Sequence, residues 1–115
     1  MSDKVYDLSQ LEELAGGSQE FVMSMVETFL EHTPGQLEEL KAAFNSGDLS
    51  AMGGVAHKIK PNIDLFGVSS IKEEIRLVES LGKEQVNAPE LSSKIDKIDS
   101  VLQLSFQQLA AHKNG

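Results

Sequence analysis

The chain contains no cysteine and no tryptophan, one tyrosine and only three prolines in 115 residues. Without cysteine there is no disulfide, no thiolate zinc site and no cysteine nucleophile. That usage is compatible with a reducing compartment. Aromatic residues make up 5% of the chain, so a core must be filled mainly by Leu, Ile, Val and Met, as in packed helices. Basic residues are also in short supply, 10 against 18 acidic, for a net charge of −8. Such a balance argues against a nucleic-acid backbone or an anionic membrane as the main partner. No apolar run approaches the ~20 residues that span a bilayer. The start, MSDKVYDLSQLEEL, is too acidic for a signal peptide. The sequence therefore reads as one soluble, cytoplasmic, monomeric domain over residues 1–115, with a length that favours a free-standing unit.

Strand signals are missing as well: no segment alternates apolar and polar residues, and there is no Asn-Gly hairpin pair. Helical spacing takes their place. Leu8, Leu11 and Leu14 predict a short accessory helix over about 7–15, capped by Asp7 and ended by Gly16-Gly17. Ser18 caps a second helix, in which Phe21, Val22, Met25, Val26, Phe29 and Leu30 cover an arc wide enough for contact on two sides. Met25 is assigned to the core and Met23 to an exposed docking patch. Thr33-Pro34 predicts a break or kink, after which Leu37, Leu40 and Phe44 continue on one face. Asp48 caps a helix that Gly67 ends, and Ser69 or Ser70 starts another with Ile71, Ile75, Val78 and Leu81 inward. A loop from Gly82 to Pro89 leads to a final helix carrying Leu91, Ile95, Ile98, Leu102, Phe106 and Leu109. Four substantial helices on short connections predict an all-α, antiparallel up-and-down four-helix bundle over about 18–112.

The helix over 49–66 carries the chemistry. On a helical wheel Leu49, Met52, Val55, Ala56, Ile59, Ile63 and Phe66 fall in an arc of roughly 120°, the buried stripe. His57 points nearly opposite, sharing the outward face with Ser50, Gly53, Gly54, Lys60, Pro61 and Asp64. Each helical glycine costs roughly 1 kcal/mol relative to alanine. Gly53-Gly54 is thus either a tolerated weak spot or a bare landing surface where a partner's backbone approaches His57. Lys60, three residues after His57, is its neighbour on the helix, and an ammonium there suits an anion attached to the ring. Asp64 either pairs with Lys60 or repels that anion. Pro61 removes a hydrogen bond to the His57 carbonyl, predicting a bend or a break at this point. An imidazole, with an ordinary pKa of about 6.5, is a nucleophile that needs no activating base at pH 7. An exposed one can accept a phosphoryl group.

Ala56-His57-x-Ile59-Lys60, with Gly67 ten residues after the histidine and then Ile71 and Val78-Glu79, resembles the histidine-containing phosphotransfer domain. So does the preceding FLEHTPGQLEELKAAFNSGDLSAMGGVAHKIK, an acidic Leu-rich helix, a Gly-Asp turn and the histidine helix. The likeness spans about residues 18–112. It implies a four-helix bundle with an accessory N-terminal helix, and reversible phosphoryl transfer between receiver-domain aspartates and His57. Lys60 then matches the basic residue beside the phosphorylated histidine, and Gly67 the glycine near the end of that helix. The implied partners are receiver domains of response regulators and hybrid histidine kinases. They would bring the magnesium ion, so this chain would need no cofactor and no metal site of its own. Gly53, Gly54, Lys58, Pro61, Asp64 and Gly67 would form the docking surface. Pro61 departs from the family, which often has glycine there, and Asp64 stands where a small residue is common. There is no Walker loop and no kinase glycine-rich motif, so the implied role is a phosphocarrier rather than an ATP-dependent kinase.

Two other classes are weighed against it. A di-iron bundle needs inward-facing Glu-x-x-His pairs, which this chain does not have. A pure interaction module would bind receivers without carrying phosphate, and the intact His57 and Lys60 argue against it. His32, near a helix end, and His112, in the tail, are read as structural or idle, and Glu38-Glu39 and Glu73-Glu74 as solvated helix faces.

Overall fold

The computed structural model describes residues 4–114. Five α-helices follow one another: α1 (Ser9–Leu14), α2 (Gln19–Asn45), α3 (Leu49–Leu65), α4 (Lys72–Glu84, preceded by a 3-10 turn at Ser69–Ile71) and α5 (Leu91–Asn114). α2 packs on α3, α3 on α4, α4 on α5, and α5 back on α2, closing a ring of four neighbours. That is the predicted up-and-down bundle, with α1 outside it against α2. No helix among the described residues is long and apolar enough to cross a membrane.

The ends are set locally. The Ser18 hydroxyl accepts from the Phe21 N–H and the Asp48 carboxylate from the Ala51 N–H, the two predicted caps of α2 and α3. Asp7 acts one residue early: its carboxylate takes the Ser9 N–H, and α1 runs only from Ser9 to Leu14. Leu11 in α1 is fully buried, as are Leu37, Leu40, Met52, Ile59, Ile75, Ile98 and Leu102 in the bundle. The α2 arc is narrower than its sequence suggests, since Phe21 is exposed. Met23 does not form an exposed patch either; like Met25 it is half-buried against the core.

Neither proline breaks its helix. α2 runs unbroken through Pro34 and α3 through Pro61. A helical proline costs about 3 kcal/mol. Phe29 and Leu37 anchor α2 on either side of Pro34, and Ile59 and Ile63 anchor α3 around Pro61; all four are buried. Each such side chain contributes roughly 1.5–3 kcal/mol, so continued burial outweighs one lost hydrogen bond. The expected loop also begins later than Gly82, because α4 continues to Glu84 and closes on Gln85 in the left-handed region.

Gly82 has a different task, shared with Gly53. Both are buried, and their backbones meet where α3 crosses α4: a Cβ added at Gly82 would lie 2.5 Å from the Cα and N of Gly53. Gly53 is therefore a helix-crossing residue, contrary to its expected place on the outward face. Gly67 is likewise structural. It has φ 63°, and a Cβ there would collide with the backbone of Asp7, whose N–H donates to the Phe66 carbonyl at 2.9 Å. It lets the N-terminal segment lie against the end of α3.

The two glycine environments predict opposite effects. Gly82→Ala forces two backbones apart and is expected to cost about 1–3 kcal/mol. Gly54→Ala, with open space around the added Cβ, is expected to gain about 0.5–1 kcal/mol from helix propensity. Urea unfolding of both variants measures this, and a Gly82→Ala protein as stable as the parent would refute the tight crossing.

Candidate functional site

His57 and Lys60 rise from one face of α3, and α4 supplies the group that joins them. Glu79 Oε2 is 2.5 Å from His57 Nδ1, and Lys60 Nζ donates to Glu79 Oε1 at 2.7 Å. Both carboxylate oxygens are thereby engaged. The Glu79 side chain is 14% exposed, whereas His57 is 70% exposed. The hydrogen bond from Lys60, then that from His57, holds the Glu79 carboxyl below the usual carboxylate range, against the burial that would raise it. An ionised carboxylate can only accept, so the ring proton sits on Nδ1. The lone pair is left on Nε2, which has no hydrogen-bond partner among the described residues. The result is a solvent-facing nucleophilic nitrogen on a ring fixed from behind.

The sequence brought out His57 and Lys60 but gave Glu79 no role, although Val78-Glu79 stands in the motif. The available signal was its place on α4: it directly follows the buried Val78, four residues after the buried Ile75. A carboxylate flanking a buried stripe is poised to meet the next helix.

A groove of about 350 Å³ opens beside the ring, lined by Ser50, Gly53, Gly54, His57, Glu79 and Lys83. Gly54 is exposed on it and is the bare surface expected; Gly53 contributes buried backbone. Lys58 and Pro61 are exposed but lie outside the groove. Asp64 does not pair with Lys60, which goes to Glu79 instead. It is half-buried, with Oδ1 enclosed and without a hydrogen-bond partner. Gly67 lines a larger cavity of about 650 Å³ with the N-terminal segment and His112. None of His57, Lys60 and Glu79 reaches that cavity, so its size carries no chemistry. His112 packs near Tyr6, ring centroids 6.2 Å apart, and His32 is exposed.

A family model described as the Hpt domain matches residues 24–112. Among solved structures, histidine-containing phosphotransfer protein B from Pseudomonas aeruginosa PAO1 is similar to this chain, with a TM-score of 0.83 and 17% sequence identity over 98% of this chain and 97% of that one. At that identity the likeness speaks for the fold. A comparison with curated proteins gave no match.

The shared carboxylate makes two outcomes measurable. Nitrogen NMR of the neutral ring should show Nδ1 protonated and Nε2 bare, and Glu79→Ala should give mixed tautomers. Because the Glu79 pKa is lowered from 4.5 in the folded chain, its stabilising effect is complete above that value and lost as pH falls through the folded pKa. The stability gap between wild type and Glu79→Gln should shrink as pH falls below 4.5. A gap that grows below that value would mean that the fold favours the protonated carboxyl instead.

Proposed function

Since the chain belongs to the Hpt domain family, we propose that it is the phosphohistidine carrier of a two-component phosphorelay, moving a phosphoryl group between receiver-domain aspartates through His57. The observation that supports this most directly is the double use of Glu79, which leaves Nε2 exposed and unprotonated beside a lysine.

The geometry of His57, Lys60 and Glu79 supports the following course of transfer. The Nε2 lone pair attacks the phosphorus of an aspartyl phosphate, an N–P bond forms, and the P–O bond to the aspartate breaks with release of its carboxylate. The Nδ1 proton stays in place throughout. The ring gains positive charge as the N–P bond forms, so its hydrogen bond to the Glu79 carboxylate strengthens on the way to the transition state. An interaction that strengthens there accelerates the step. Lys60, held beside the ring by Glu79, offsets part of the negative charge that the phosphoryl group brings without leaving that pair. Delivery to the next aspartate reverses the same sequence. The receiver supplies the magnesium ion and the carboxylate leaving group, which is why an open surface serves here in place of a pocket.

Incubation with a phosphorylated receiver domain should place acid-labile, base-stable phosphate on the wild type and none on His57→Gln. Glu79→Ala should slow transfer about 10- to 100-fold, the equivalent of one hydrogen bond to a charged group. Label that persists in His57→Gln would assign the reaction to another histidine. No label from any receiver would favour a binding-only module.

A further inference from the structure

The groove beside His57 holds a cation that the proposed transfer does not use. Lys83 lies one helical turn beyond Glu79 on α4, and it lines the same 350 Å³ groove as His57. Lys60 is committed to the Glu79 carboxylate at 2.7 Å. Lys83 forms no salt bridge among the described residues; Lys41, Lys60, Lys97 and Lys113 each do. A lysine in the last turn of a helix is favourable for the helix dipole alone, but the dipole does not require that residue to line a groove beside a histidine. The Gly53–Gly82 crossing places it there, because it brings the backbone of Lys83 against α3: a Cβ added at Gly53 would lie 2.9 Å from the Lys83 backbone nitrogen.

We infer that Lys83 is a second phosphoryl-reading cation, which pairs with the phosphoryl group on His57 Nε2 while Lys60 stays with Glu79. The inference rests on the carrier role proposed for His57 and adds a residue that touches the transferred group. Lys58 is a poorer candidate, since it lies outside the groove. Lys60 can approach the phosphoryl group only by weakening its pair with Glu79. In a chain of net charge −8, an unpaired lysine beside the reactive ring is also the feature that best suits an incoming anion. A flexible ammonium suits a phosphoryl group as a mobile point charge.

The test needs no receiver. Phosphoramidate donates its phosphoryl group to an imidazole nitrogen and releases ammonia, so it can load His57 directly. Phosphorus NMR then follows the second ionisation of the phosphohistidine in the wild type, Lys83→Gln, Lys83→Arg and Lys72→Gln, the last removing one charge at the far end of α4. A nearby cation favours the dianion and lowers that midpoint. Lys83→Gln should raise it by about half a pH unit, the effect of one solvent-screened charge at close range. Lys83→Arg should restore the wild-type value and Lys72→Gln should leave it in place. An unchanged midpoint in Lys83→Gln, or an equal rise in Lys72→Gln, overturns the role of Lys83 and leaves the carrier intact. If the wild type forms no phosphohistidine at His57, the carrier reading fails and this inference fails with it.

Discussion

Two glycine backbones in contact set the spacing of α3 and α4, and the site depends on that spacing. Gly53 and Gly82 leave no room for a side chain between them, so the two helices approach more closely than side-chain packing allows. Interhelical distances are normally about 8–10 Å because side chains keep the axes apart. Close approach is what lets the short arm of Glu79 span from α4 to both His57 and Lys60. Each helical glycine costs helix propensity, but here the cost is offset by the buried contact and by the polar pairs that the contact permits.

Glu79 converts this packing into chemistry. Its carboxylate is mostly enclosed, which alone would disfavour its charge. Two donors from α3 reverse that balance, and the charge then selects one ring tautomer. A single residue so fixes the orientation of the histidine, the position of its proton and the resting place of the lysine. The neighbouring helix α2 does its part from behind. Phe29 stacks on Phe66 with ring centroids 4.4 Å apart, and the buried stripe from Met52 to Ile63 keeps α3 continuous past Pro61. Rigid elements hold a reacting group more precisely than loops do.

Much of this was legible in the sequence. The periodicity located the four bundle helices, and the spacing of His57 and Lys60 put them on one face, because each rests on a single helix. What spans two helices was harder to read. Glu79 lies in a motif, but its partners are 19 and 22 residues away. The Gly53–Gly82 pairing is hidden for the same reason, although both glycines occupy the edge of a buried stripe: Gly53 follows Met52, and Gly82 lies four residues after Val78. The prolines left two readings open. Local chemistry predicts a break or kink at Pro34 and a bend or break at Pro61, and burial on either side of each rules out the break. Gly67 stands in the motif and also makes room for the N-terminal segment, an approach to Asp7 between positions 60 residues apart that no local pattern encodes.

The same carboxylate sets a limit on the loaded state of the proposed carrier. Glu79 holds its negative charge close to the ring that would bear the phosphoryl group. It attracts the positive charge of a phosphorylated imidazole through Nδ1, and it repels the phosphoryl oxygens beyond Nε2. The first effect acts at hydrogen-bond range and the second across the width of the ring, so the first is the larger. Lys60 cannot fully serve both the carboxylate and the phosphoryl group. On balance Glu79 would therefore favour the loaded protein, by less than its hydrogen bond to Nδ1 alone would give. A neutral glutamine in place of Glu79 would relieve the repulsion but give up the stronger attraction, so the balance of the two, more than either alone, fits the charged residue to this position.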